Sequence, residues 1–189
     1  NKVLMPICDI PVIDLLLKRL SHSSEIDKII VATTTKEIDL SLKKHVEKLG
    51  FTCEQGSEND VLMRYYNIAI KHNADIVIRI TGDCPFVDYR IVDECIRRFI
   101  NQKVDYLTNT NPPTFPDGLD VCIFSIQALT RANNETKNIY DREHVTPYFK
   151  KSKSFSIFNV ENSIDFSSIR ITLDEKEDLV VMNNIFNYF

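Results

Sequence analysis

No stretch of the 189-residue sequence is apolar for long enough to span a bilayer, which takes about 20 consecutive residues. That argues against a helical membrane protein, and no signal peptide is recognisable at a start that looks incomplete. Paired cysteine motifs are lacking too. Cys8, Cys53, Cys84, Cys95 and Cys122 are odd in number, widely spaced and free of any C-x-x-C pair. The pattern argues against a disulfide framework or a zinc site and points to reduced thiols in a cytoplasmic protein. Excess positive charge is missing as well. With a net charge of −4, no broad attraction to nucleic acid or to an anionic membrane is expected. An anionic ligand must then be held by local groups or by a metal. Internal repeats and low-complexity segments are absent.

Hydrophobic residues make up 43% and charged residues 26%, an ordinary globular balance, and the length suits one domain with a sizeable core. Strand and helix signals alternate along it. Pro11 opens an apolar helix over 12–20, and 28–33 is a strand of β-branched residues. Ile38, Leu42, Val46 and Leu49 recur at helical spacing, with Gly50 as the C-cap. Residues 51–54 read as a short strand, Gly56-Ser57 as a turn and 58–72 as a helix. After a strand at 76–78, Asp88 is the expected N-cap of a helix that faces inward through Ile91, Val92, Cys95, Ile96 and Phe99. Strands at 104–107 and 120–124 flank a proline-rich loop, 109–118. Residues 126–131 and 140–149 read as helical, 155–160 as extended and 169–173 as a strand. Leu179, Met182, Ile185 and Phe186 mark a closing helix that runs to Phe189. This alternation predicts a three-layer α/β fold with a largely parallel sheet. Residues 1–189 are expected to form one such domain, trimmed at both ends.

The stretch Arg79-Ile80-Thr81-Gly82-Asp83-Cys84-Pro85-Phe86 ends the strand at 76–78, and its glycine, carboxylate and proline turn the chain. Ligands of open α/β sheets sit beyond the carboxyl ends of the strands, where Asp83 falls. A turn aspartate satisfying nearby backbone N–H groups would look the same. A second carboxylate, Asp174, also closes a β-type run, in Arg170-Ile171-Thr172-Leu173-Asp174-Glu175. Two such carboxylates can converge on one cation. Oxygen ligands with little sulfur or imidazole nearby suit Mg²⁺ or Mn²⁺, which takes its other ligands from water and phosphate. Asp174 reads equally as an N-cap for the last helix, with Glu175 and Glu177 at the positive end of its dipole, and both roles can hold at once.

Two further clusters carry chemistry. In Phe115-Pro116-Asp117-Gly118-Leu119-Asp120-Val121 a turn exposes Asp117 and leaves Asp120 at a strand entrance. Both carboxylates could accept hydrogen bonds from sugar hydroxyls, although D-G is also a common way to build a turn. In Asp141-Arg142-Glu143-His144-Val145-Thr146-Pro147-Tyr148, Arg142 and His144 could bind an anion or transfer protons, and a charged helix start would look much the same. Cys84 has no base nearby and reads as a small core residue.

The blocks G-S-E-N-D-V-L-M-R-Y-Y (56–66), R-I-T-G-D-C-P-F (79–86), F-P-D-G-L-D-V (115–121), R-E-H-V-T-P-Y (142–148) and I-T-L-D-E-K-E-D-L (171–179) occur in that order. Together they resemble the spore-coat-polysaccharide branch of the cytidylyltransferases, which is related to the CMP-KDO and CMP-sialate synthetases. They run through nearly the whole chain. The resemblance implies a nucleotide-diphospho-sugar-transferase-like, Rossmann-like α/β fold. The activity it implies couples a sugar to CTP and releases pyrophosphate, in polysaccharide biosynthesis. It casts Asp83 and Asp174 as catalytic, metal-binding residues for Mg²⁺ or Mn²⁺. Ser57, Asp60 and Arg64 fall in the segment that contacts base and ribose, and Arg79 joins that nucleotide set. Asp117, Asp120, Arg142 and His144 fall to the sugar. The implied acceptor is acidic, KDO-like or sialic-acid-like, and the relatives suggest a homodimer. The family opens with a strand and the triphosphate loop A-R-x-x-S-x-R-L-P-G-K. Its last residue stands here as Lys2, which would neutralise departing pyrophosphate, and Asn1 stands where glycine is usual. Activity is expected of a protein that carries the whole loop.

Two other readings stay open. A metal-dependent glycosyltransferase also joins an α/β nucleotide-binding domain to metal-binding carboxylates, but its D-x-D is missing, since Cys84-Pro85 follows Asp83. A non-catalytic nucleotide-binding domain of the same fold, without the phosphate loop, is the other.

Overall fold

The computed structural model describes residues 2–188, Lys176 by its backbone alone; Asn1 and Phe189 lie outside the described residues. After a 3-10 turn at Lys2–Leu4 comes a hairpin of β1 (Pro6–Ile7) and β2 (Ile10–Pro11), whose turn residues Cys8 and Asp9 both have positive φ. Two left-handed residues give a tight turn the twist its strands need. Pro11 then precedes α1 (Val12–Leu20), as its fixed φ allows. β3 (Ile30–Thr34) is followed by α2 (Leu40–Lys48), which ends where Gly50 adopts φ +88. β4 (Thr52–Gly56) leads to α3 (Val61–Lys71), capped by the Asp60 carboxylate, which accepts the Met63 N–H at 2.9 Å. After β5 (Ile76–Arg79), α4 (Tyr89–Gln102) starts at Asp88, as its sequence predicts, with the Arg90 N–H donating to that carboxylate.

β6 (Tyr106–Thr108), β7 (Cys122–Ser125), α5 (Ile126–Glu135), α6 (Ile139–His144), α7 (Thr146–Lys151), β8 (Ile157–Asn159) and α8 (Lys176–Tyr188) complete the order. One sheet runs β5-β7-β6-β8, and β3 pairs with β4 beside it. The pairs β3–β4 and β6–β8 are parallel, while β7 is antiparallel to both β5 and β6. Three of the four strands of the larger sheet therefore run the same way, as the alternation suggested, and β7 alone is reversed. Apolar alternation reads the same in either direction. β7 returns beside β6 through the proline-rich loop without a crossover helix, and a strand joined that way pairs antiparallel.

Side chains alternate across this sheet and so build two layers. Leu107 and Ile123 pack with Leu16 of α1, Val46 of α2 and Ile96 of α4. Tyr106, Cys122 and Phe124 face the other way, onto Leu62 of α3, Leu129 of α5 and Phe149 of α7. Tyr106, Phe124 and Phe149 form an aromatic trio with ring centroids 4.6–5.2 Å apart. Met182 of α8 and Leu173 close a third cluster over Ile7 and Val12.

Two expected elements differ. The run 169–173 is not a strand; it makes one isolated bridge, Asp117 with Arg170, and spends its other N–H groups on loops. The single helix expected over 140–149 is split into α6 and α7 at Val145, which has φ +66. Pro147, in the first turn of α7, has no N–H to continue the helical ladder.

Candidate active site

Lys2, Asp83 and Asp174 meet at one edge of the sheet. Gly82 lets the first residues approach: a Cβ there would stand 3.1 Å from Val3 Cγ1. Val3 lies against that bare backbone and carries Lys2 over the turn. The Leu173 N–H donates to the Asp83 carbonyl at 2.9 Å, which brings the following residue, Asp174, alongside. Just ahead of α8, the N–H groups of Asp174 and Glu175 donate to the Asp178 carboxylate at 2.8 Å each. The Asp174 carboxylate faces Lys2, whose Nζ stands 3.0 Å from Asp174 Oδ1 and 2.9 Å from Asp83 Oδ2. Burial pushes the Asp83 carboxyl up, but Lys2 and the Thr81 hydroxyl outweigh it and hold its pKa below the ordinary value.

Arg170 gathers the rest of this edge. It reaches Asp178 Oδ2 at 2.8 Å, Asp174 Oδ2 at 3.1 Å and Asp117 Oδ2 at 3.8 Å. The loop comes that close because Gly118 has φ +110, and a Cβ there would meet the Ile171 carbonyl oxygen at 2.7 Å. Lys2 and Arg170 thus face Asp83, Asp117, Asp174 and Asp178, which leaves an excess of negative charge. Two oxygens converging on one ammonium, within that excess, fit a hard divalent cation. Among the described residues no cluster of three or more His, Cys, Asp or Glu side chains is placed to hold a metal. A cation here would rest on Asp83 and Asp174 and draw its remaining ligands from water and phosphate, the habit of Mg²⁺.

Beyond Asp83, on the face of β5 shared with Tyr106 and Cys122, the charge reverses. Arg79 has no hydrogen bond or ion pair among the described residues, and its Nε is buried. Arg64 nearby donates only to the Ser57 carbonyl, at 2.8 Å, and its Nε is likewise buried without an acceptor. Asp120 is half-buried, with no hydrogen-bond partner among the described residues. Burial first, then Asp117, lifts its carboxyl above the ordinary value against the pull of Lys150 and Arg79. Lys150 itself donates to Thr110 Oγ1 at 3.2 Å.

The other expected site residues are placed differently. Ser57 Oγ accepts the Asp60 N–H at 3.0 Å, and Asp60 also receives Arg142 Nε at 2.7 Å. Arg142 further donates to the carbonyls of Asn133 and Thr136 and to Asn133 Oδ1, so it serves as a clamp joining α3, α5 and α6. His144 is exposed and packs on Tyr140, with ring centroids 4.4 Å apart. Cys84 is buried with its thiol pushed up to about 12, which agrees with a core residue. Arg170, Asp178 and Lys150 escape sequence reasoning. The i, i+4 and i, i+8 spacing of Arg170, Asp174 and Asp178 was the available signal, but it falls outside a helix at Arg170. Two surface clefts, one along α5 and one of about 500 Å³ between α4 and Phe115, are not lined by Lys2, Asp83, Asp174 or Arg79.

Comparison with solved structures sets the class of protein. CMP:2-keto-3-deoxy-manno-octonic acid synthetase, complexed with CTP, superposes with a TM-score of 0.76 at 14% identity, over 99% of this chain and 92% of that one. The fold is that of the α/β nucleotidyltransferases. The family model for cytidylyltransferases matches residues 1–182, and the chain belongs to that family and is a nucleotidyltransferase. A cytidylyltransferase from Leptospira borgpetersenii serovar Hardjo-bovis is 32% identical with a TM-score of 0.96, over 100% of this chain and 80% of that one. The spore coat polysaccharide biosynthesis protein SpsF of Bacillus subtilis is 32% identical over 188 residues, 94% of this chain and 76% of that protein. Among the described residues no helix is long and apolar enough to cross a membrane.

Proposed function

We propose that the protein transfers the cytidylyl group of CTP to a hydroxyl of an acidic sugar, with release of pyrophosphate, for surface polysaccharide synthesis. The observation that carries this reading is the convergence of Asp83 and Asp174 on a single positive charge at the sheet edge of a cytidylyltransferase-family chain. The CTP complex of the CMP-KDO synthetase and the polysaccharide role in the SpsF name support it.

In the reaction a sugar oxygen forms a bond to the α-phosphorus while the bond from that phosphorus to the bridging oxygen of pyrophosphate breaks; the hydroxyl proton goes to solvent. Such a step asks the protein for in-line placement and charge neutralisation more than for covalent chemistry. Asp83 and Asp174 hold the divalent cation, Mg²⁺ or Mn²⁺. When bound, that cation offsets charge on the phosphate oxygens. Lys2, which now pairs with both carboxylates, exchanges them for the leaving pyrophosphate. Ser57 and Asp60 set the turn that meets base and ribose, and Arg142 holds that turn through Asp60. Asp117 and Asp120 accept hydrogen bonds from the sugar. Incubation of the intact protein with CTP, Mg²⁺ and a panel of acidic sugars should yield a CMP-sugar and pyrophosphate in equal amounts. Pyrophosphate from CTP hydrolysis alone, with no sugar conjugate across the panel, defeats this reading.

A further inference from the structure

Three half-buried arginines, Arg142, Arg64 and Arg79, differ in how far their guanidinium groups are satisfied. Arg142 is satisfied: its guanidinium donates to a carboxylate, two backbone carbonyls and an amide oxygen. Arg64 and Arg79 have no carboxylate partner among the described residues, and the Nε of each is buried without an acceptor. Burial draws the Arg64 pKa down and the neighbouring Arg79 charge adds to that, against Tyr65 and Asp39. Arg79 goes the other way: burial pulls its pKa down, but Tyr65, Cys122, Tyr106 and Asp83 outweigh that and leave it above the ordinary value. What the two arginines share is a buried Nε with no acceptor, which a bound anion would satisfy.

The surroundings are built to hold them there. Arg64 runs along bare backbone at Gly56, where a Cβ would meet its Cγ at 2.8 Å and its Cδ at 3.2 Å. Arg79 closes β5 opposite Cys122, on the face lined by Tyr106. Its position relative to the other charges separates two roles. The Lys2–Asp83–Asp174 edge is the cation side, where phosphates belong. Lys150 and Arg79 are the cations that pull the Asp120 pKa down, and on the cytidylyl-transfer reading the Asp120 loop receives the sugar.

We infer that Arg64 and Arg79 form a two-guanidinium subsite for the acidic group of the acceptor, with Gly56 as the residue that positions Arg64. The inference rests on the cytidylyl-transfer reading and moves both arginines from the nucleotide to the sugar. Planar forks of this kind match a carboxylate by paired, charge-assisted hydrogen bonds. Arg79→Lys keeps the charge and loses the fork; Gly56→Ala keeps both arginines and shifts one of them.

The test uses the intact protein with CTP and Mg²⁺, and KDO, N-acetylneuraminate and their neutral methyl esters as acceptors. Arg79→Gln should raise the KM of whichever acid is turned over, or its calorimetric Kd, by about 10- to 100-fold, the worth of a hydrogen bond to a charged group. Arg79→Lys and Gly56→Ala should fall between it and wild type. The CTP Kd should not change. Methyl esters should bind wild type and Arg79→Gln alike, because the lost partner is the same one. A weakened CTP Kd assigns the pair to the nucleotide and overturns the inference. So does an unchanged acceptor affinity, or an equal penalty on acid and ester. Calorimetry needs no turnover, so acid binding lost in Arg79→Gln sustains the subsite even if no CMP-sugar forms. Wild type that makes CMP conjugates only of neutral sugars sustains the transfer and overturns the subsite.

Discussion

Asp83 is a turn residue by sequence and a charge-bearing one by geometry, and its two roles separate on substitution. Asparagine keeps the shape and one acceptor oxygen, so the turn that links it to Leu173 survives. The Lys2 pair it loses is partly solvent-exposed and worth about 1 kcal/mol or less to stability. Asp83→Asn should therefore melt close to wild type while kcat/KM falls by about a hundredfold or more. Steady-state rates at saturating Mg²⁺, beside a melting curve, check both. Asp120 gives the opposite signature. Its carboxyl is held above the ordinary value by burial, so between the unfolded and folded pKa the native state binds more protons. Stability from this group is then full below the unfolded pKa and falls as pH rises through the folded one. Asp120→Asn should raise the melting temperature at pH 7, and the gain should shrink as the pH is lowered into the carboxylate range. At this scale Asp88 was legible as a helix cap and Asp83 as a strand-end turn residue, because that chemistry is local, whereas Asp60 was expected inside a helix over 58–72 and instead caps α3. Arg170 was not, since its three carboxylate partners come together only when residues 117, 174 and 178 fold onto it.

Elements in this protein are joined by a few obligatory contacts. The Asp117-Gly118 turn accepts the extended run 169–171 through Asp117 N–H to Ile169 at 2.9 Å and Ile171 N–H to Asp117 at 2.8 Å. Gly118→Ala adds a Cβ where the Ile171 carbonyl sits, on a left-handed backbone, and should cost about 2 kcal/mol or more. The same change withdraws Arg170 and Asp174 from the edge, so activity should fall with stability in parallel melts and rates. Arg142→Ala unclasps α3 from α5 and α6 and leaves Asp60 half-buried with its capping bond alone. About 2–3 kcal/mol is expected, below the toll of a fully buried pair. A raised acceptor KM with an unchanged melting temperature would instead place Arg142 on the substrate. Helices were read from their apolar spacing with small errors at the ends. The run 169–173 was misread because β-branched residues favour extended backbone whether or not a partner strand exists. The break at Val145 escaped because Pro147 tolerates a helix start as readily as it stops a helix interior.

At the scale of the whole molecule, alternating strand and helix signals foretold the α/β layers, while the reversed direction of β7 was invisible to a pattern with no polarity. On the proposed reading, Lys2 with Asp83 and Asp174 forms a cation side and Arg64 with Arg79 an anion side. A metal–triphosphate and an acidic sugar would meet between them. Pyrophosphate release by the intact protein tests this most directly, with CTP, UTP, ATP and GTP in turn, an acidic sugar, and Mg²⁺ present or chelated. The account predicts release from CTP, little from the other three, and none after chelation. Equal release from all four nucleotides, or release from CTP undiminished by chelation, would contradict it.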